Sequence, residues 1–200
     1  MHSISYPYYY ENLNNLYFHK MTAKTVSGYL IILISSFILY SIKPPAHILN
    51  ALLPVLMLIF PIIVGHRVKI RFALKDILFG LLVSVIVLLP YYIAFGGNMK
   101  TLSFSYIIFQ FLVVSLPEEF FFRGFLQDSI GKDLRAILYV SMLFSIAHLP
   151  RAFLLNDWIS LLSFFPSIVM GWMYVRTNNI LPGTVFHFLA NLTYHMQQVL

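Results

Sequence analysis

Apolar residues are gathered along this chain into long blocks separated by short polar connections. A helix that crosses a bilayer needs about 20 mainly apolar residues. Runs of that kind predict spans over residues 25–43, 46–65, 77–97, 102–127, 134–150, 158–176 and 180–199. Their tight connections argue for antiparallel neighbours in one bundle. The expected fold is therefore all-α, a polytopic transmembrane helix bundle of about seven helices, with eight as the alternative count. No repeat, low-complexity tract or linker divides residues 25–200, which read as a single transmembrane helical domain. Residues 1–24, MHSISYPYYYENLNNLYFHKMTAK, break the pattern with five tyrosines and two lysines. They lack the basic start, apolar core and small-residue cleavage site of a secretory signal. They read as an extramembrane or interfacial N-terminal segment.

The fourth block is longer than a bilayer requires, and Pro117 interrupts it. Proline is tolerated in the first turn of a helix, where its missing N–H is not needed. Two readings stay open: a second helical piece opening at Pro117-Glu118-Glu119, or a kink in one continuous helix.

Composition supports the lipid reading. The chain of 200 residues is 60% hydrophobic and 10% charged, with a mean hydropathy of +0.81. Soluble domains are roughly 45–50% apolar and about 25% charged. The formal charge of +6 does not imply nucleic acid, because the basic residues sit mostly between apolar blocks and form no nucleic-acid-reading motif. The absence of cysteine excludes disulfides and thiolate metal sites. Placing Arg67, Lys69, Arg71 and Lys75 in the cytoplasm puts Lys20, Lys24, Lys132, Arg135 and Arg176 on the same side, with only Lys43, Lys100 and Arg151 opposite. That asymmetry predicts a cytoplasmic N-terminus.

Ionisable residues within a bilayer are expensive, roughly 2.5–3.5 kcal/mol each at a helix centre on insertion scales. Those inside the blocks are therefore candidates for chemistry: Glu118, Glu119, Arg123, His148, His187 and His195, joined by polar Asn191. Glu119 and Arg123 are four apart and share a helix face, so they can form an ion pair, a structural role. Glu118 is rotated about 100° away and has no partner on its own helix. It must be protonated, matched from another helix or kept for proton chemistry. Its candidate partners lie in FSIAHL, where Phe144 and His148 share a face, and in HFLAN, where His187 and Asn191 do so and His195 continues one turn later. Interhelical hydrogen bonding is the structural alternative for that stripe. No HExxH, GxSxG or GxxxxGK(S/T) pattern is present.

Glu118-Glu119-Phe120-Phe121-Phe122-Arg123 fits EExxxR, Phe144 to His148 fits FxxxH, and His187 to Asn191 fits Hxxx(N/D). In this order the three resemble the CPBP intramembrane proteases, a family that includes CAAX prenyl endopeptidases and Abi-type proteins linked to bacteriocin self-immunity. The resemblance covers about residues 102–195. It implies an intramembrane endopeptidase with a site open toward the cytoplasm, acting on a membrane-associated peptide or protein, in a bacterial cell membrane. By position, Glu118 and His148 would activate water, and His187 and Asn191 would stabilise the oxyanion. Glu119, Arg123 and Phe144 would support the site. No cofactor is required by these residues, although Glu118, His148 and His187 could serve as a three-ligand zinc set. The alternatives are a non-catalytic peptide-binding or self-immunity protein, and a proton-coupled transporter, which would be expected to show internal repeats.

Overall fold

A computed structural model describes residues 22–95 and 101–197. Most of the expected interfacial segment, residues 1–21, lies outside them. Seven helices follow in order: α1 (Ala23–Ile42), α2 (Ala46–Ile63), α3 (Leu74–Phe95), α4 (Phe104–Ile130), α5 (Leu134–Leu155), α6 (Trp158–Thr177) and α7 (Leu181–Gln197). There is no strand among the described residues. Five of them, α1, α3, α4, α5 and α6, are long and apolar enough to cross a membrane, and α2 contributes the shorter apolar stretch Asn50–Ile63. The chain is a multi-pass membrane protein.

Helix ends follow local chemistry. Thr22, Ser103 and Asp133 accept from the backbone N–H three residues on and start α1, α4 and α5. Lys43 and Asn178 adopt the left-handed conformation, with φ of 51° each, and stop α1 and α6.

The core forms around α4. Phe121, Phe122, Phe125 and Leu126 pack with Ile32 of α1, Met57 of α2, Val140 and Phe144 of α5, Met170 and Met173 of α6 and Phe186 of α7. The outer faces stay apolar: Leu78, Leu82, Val85, Ile86 and Leu89 of α3 are exposed. Lipid, not water, suits such a surface. One end of the bundle is tied by ions, with Lys69 and Lys132 at 2.9 and 3.2 Å from Asp128, and Arg71 at 2.7 Å from Asp76. The other end carries Arg151 bonded to Asp157 at 2.6 Å.

α4 runs unbroken through Pro117, which decides between the two readings of that position. Its hydrogen bonding changes register instead. It widens to π-helical steps over Gln110–Ser115 and Phe120–Gln127, either side of the α-helical turn Leu116–Glu119. The N–H of Leu116 reaches back five residues to Phe111. A proline ring collides with the carbonyl four residues earlier in a regular helix, and a wider turn relieves that collision. Three boundaries differ from expectation by three residues or more. α3 starts at Leu74 and not 77, α4 extends to Ile130 and not 127, and α5 continues past a turn at His148 to Leu155 and not 150.

α3 and α7 meet at Gly80, where an added Cβ would stand 2.9 Å from the carbonyl oxygen and 3.0 Å from the Cα of Pro182. Backbone cannot yield as a side-chain tip can. Gly80→Val should therefore cost about 1–3 kcal/mol by overpacking. The check is a lower unfolding temperature in detergent, with lipid-facing Leu82→Val unchanged.

Candidate active site within the bundle

The site is built where α4, α5, α6 and α7 converge. Glu119 and Arg123 are both fully buried, with Nε of Arg123 3.4 Å from Oε2 of Glu119. Nη2 of Arg123 donates to the Ser167 hydroxyl of α6 at 2.9 Å, and the guanidinium lies 5.4 Å from the centre of the Phe144 ring. One turn into α7, Gly183 leaves room for the carboxylate; a Cβ there would stand 2.6 Å from Oε2 of Glu119. Ser167 and Gly183 were not singled out from sequence, because a lone serine or glycine in an apolar helix carries no periodic signal.

His187 lies between the two glutamates. Its Nδ1 is 3.4 Å from Oε1 of Glu119, and its Nε2 is 3.6 Å from Oε2 of Glu118. Glu118 finds the interhelical match its position demanded. Its Oε2 is buried and accepts no hydrogen bond from the described residues.

His148 occupies the turn inside α5, with φ −89° and ψ −3°. Its N–H bonds the Ser145 carbonyl at 3.0 Å, freeing the Phe144 carbonyl, which its own Nδ1 engages at 2.8 Å. A carbonyl only accepts, so Nδ1 carries the proton, and the neutral ring keeps its lone pair on Nε2. The Phe144 ring contacts both histidines, with centroids 5.0 Å from His148 and 5.7 Å from His187.

Glu118 and His148 line one cavity of about 100 Å³ with Ile32, Ser36 and Tyr40 of α1, Leu53 and Met57 of α2, and Arg151. A buried water needs roughly 10–15 Å³ by this kind of measure, so several fit. Tyr40 and Arg151 lie toward the end poor in lysine and arginine.

Other expected partners are not gathered here. Asn191 donates to Oε1 of Gln110 at 3.2 Å, and Gln110 donates to the Tyr106 hydroxyl at 2.9 Å. His195 stacks on Tyr106 with centroids 4.5 Å apart. The stripe His187, Asn191, His195 thus divides between two neighbourhoods of α4. Gln110 was missed, although a glutamine inside an apolar block was the available signal. The zinc set also fails the test of geometry. No group of three His, Asp or Glu side chains among the described residues could hold a metal ion, so Glu118, His148 and His187 do not form one.

Residues 100–193 match the family described as type II CAAX prenyl endopeptidase Rce1-like. That segment, just under half of the chain, is similar to the Rce1-like family. This agrees with the resemblance carried by the three motifs over residues 102–195. The chain is also similar to the UPF0177 protein YxdF of Lactococcus lactis subsp. lactis (strain IL1403), at 29% identity over 96 residues. That alignment covers 48% of this chain and 50% of the relative, so the chain spans about half the length of the curated relative it matches. No solved structure matches the chain. The Rce1-like segment holds Glu118, Glu119, Arg123, Phe144, His148, His187 and Asn191, but none of α1 or α2.

Removing one member of a buried ion pair leaves the other charge uncompensated, typically at 3–5 kcal/mol. Arg123→Met should lower stability by about that amount, while Arg123→Met combined with Glu119→Gln should recover a large part of it. Thermal unfolding of both variants in detergent measures the difference.

Proposed function

We propose that this protein is an intramembrane endopeptidase hydrolysing a peptide bond of a membrane-associated peptide or protein. The observation that carries the reading is the position of Glu118: its carboxylate shares a water-sized cavity with His148 and faces His187 across 3.6 Å. Water in the cavity is polarised by Glu118 and by the unprotonated Nε2 of His148. It attacks the scissile carbonyl, its proton passes to the carboxylate, and the carboxyl then delivers that proton to the leaving amine. His187, with a proton on Nε2, donates to the oxyanion, and Oε1 of Glu119 lies 3.4 Å from its Nδ1. A donor of this kind in a dry site is worth about 2.7–4 kcal/mol of transition-state stabilisation. Asn191 completes the oxyanion site only after turning from Gln110.

The basic end of the bundle is placed in the cytoplasm, with the N-terminus on that side. The similarity to a lactococcal protein supports a bacterial cell membrane as the location. No step is routed through a metal, since the candidate ligands do not converge. Treatment of the purified protein with a strong chelator should leave cleavage intact; loss that zinc restores would demand a rearranged site.

A second reading has one observation in its favour. Asn191 is already satisfied by Gln110, which suits a scaffold that binds a peptide without cutting it, as in self-immunity.

Glu118→Gln separates the two, because it preserves shape and removes the proton acceptor. Normal membrane insertion with cleavage reduced about 10²–10⁴-fold is expected. The measurement compares the termini of membrane peptides from cells producing wild-type or variant protein. Identical termini in both would remove the protease mechanism, and a phenotype that survives would favour the binder.

A further inference from the structure

At the end of the bundle away from the cavity rim, α3 and α6 enclose an open groove of about 460 Å³ that takes no part in the chemistry above. Its walls are Arg71, Lys75, Asp76, Phe79, Trp172, Arg176 and Thr177. Three cations face one carboxylate, and that carboxylate is already committed. Oδ2 of Asp76 takes hydrogen bonds from Nη2 of Arg71 at 2.7 Å and from Nδ2 of Asn179 at 2.9 Å. Asn179 also clasps the Arg71 backbone in both directions, accepting from its N–H at 3.1 Å and donating to its carbonyl at 2.7 Å. Arg71 is thus held in place while its side chain stays 58% exposed.

The other two cations are uncommitted. Lys75 and Arg176 are exposed, and neither pairs with a carboxylate among the described residues. Arg176 lies over the Trp172 ring at 5.7 Å, and Trp172 contacts Phe79 with centroids 5.6 Å apart. A fixed guanidinium, two free cations and an aromatic wall are arranged where a helix pair leaves the apolar layer. Exposed Phe72, Leu74 and Leu78 continue the apolar surface beside it.

We propose that this groove binds the headgroup of an anionic phospholipid. Its phosphate takes charge-assisted hydrogen bonds from Arg71 and Arg176, Lys75 adds a point charge, and the Trp172–Phe79 wall receives the upper acyl chain. Guanidinium forks match phosphate oxygens, and tryptophan favours the level of the headgroups. A soluble phosphate would gain nothing from the aromatic wall, which is why the lipid is the occupant. Asp76 and Asn179 position Arg71 and do not touch the ligand.

The test uses the full chain purified in detergent, with Lys75→Gln combined with Arg176→Gln. Both residues are exposed, so the fold should survive. Lipid retention is read by native mass spectrometry and by thermal shift, with phosphatidylglycerol, phosphatidylcholine and inorganic phosphate as separate probes. Wild-type protein should retain phosphatidylglycerol in preference to phosphatidylcholine. The double variant should bind it roughly tenfold or more weakly, at about 1 kcal/mol for each basic residue. Arg135→Gln, an exposed cation at the same end but outside the groove, should bind it as wild type does. Unchanged binding by the double variant, an equal loss in Arg135→Gln, or an equal shift from inorganic phosphate would each overturn the proposal.

Discussion

A carboxylate and a guanidinium with no exposure at all, Glu119 and Arg123, sit at the centre of a bundle whose outer faces are leucine, isoleucine and valine. Moving two ions out of water costs several kcal/mol each, and attraction offsets this only when the remaining polar atoms are also provided for. The neighbouring helices supply part of that provision, although both Glu119 oxygens and Nε and Nη1 of Arg123 have no hydrogen-bond partner among the described residues. α6 gives the Ser167 hydroxyl, α5 gives the face of Phe144, and α7 gives the imidazole of His187 and the open space at Gly183. A rotation of any one of these helices would strand a charge. The pair therefore fixes the angular setting of α5, α6 and α7 about α4, and with it the direction in which His187 presents its second nitrogen.

The irregular bonding of α4 belongs to the same constraint. Glu118 and Glu119 face different directions on one turn of helix, and each must meet a different nitrogen of a single ring. The α-helical turn that carries them is bracketed by π-helical segments, which add width and alter side-chain direction on both sides. Such widened turns are often found at functional sites. Pro117 supplies the local reason for the first of them, since it removes a donor that the regular ladder would have used. The backbone irregularity and the buried charges thus occupy the same few residues.

The sequence was informative where its physics is local and weak where it is not. Long apolar blocks announce helices by themselves, so the seven elements were readable, with errors of a few residues at α3, α4 and α5. Spacing within one helix separated Glu118 from Glu119 correctly, because 100° per residue is set by backbone geometry. Contacts between helices were harder. Three residues shared by a motif set suggested a zinc site, but Glu118, His148 and His187 do not form a group that could hold a metal ion among the described residues. A stripe at helical spacing suggested that Asn191 would stand with His187, but Gln110, two turns before Glu118, claims it. The turn at His148 shows the same limit. The side-chain bond from His148 to the Phe144 carbonyl that fixes the ring has no signal in the sequence.

The Rce1-like match and the cavity do not cover the same ground. Glu118, Phe122, Ala147, His148 and Arg151 belong to the matched segment, but Ile32, Ser36, Tyr40, Leu53 and Met57 stand on α1 and α2, outside it. Proton-transfer groups and cavity shape thus come from different halves of the chain. Half of the cavity's lining residues stand on α1 and α2. Likeness in residues 100–193 therefore bears on the candidate chemistry and not on that part of the cavity wall. Two hydroxyl side chains, Ser36 and Tyr40, lie one turn apart on that wall, opposite otherwise apolar residues of α2. Such a surface offers hydrogen bonds on one side and dispersion contact on the other.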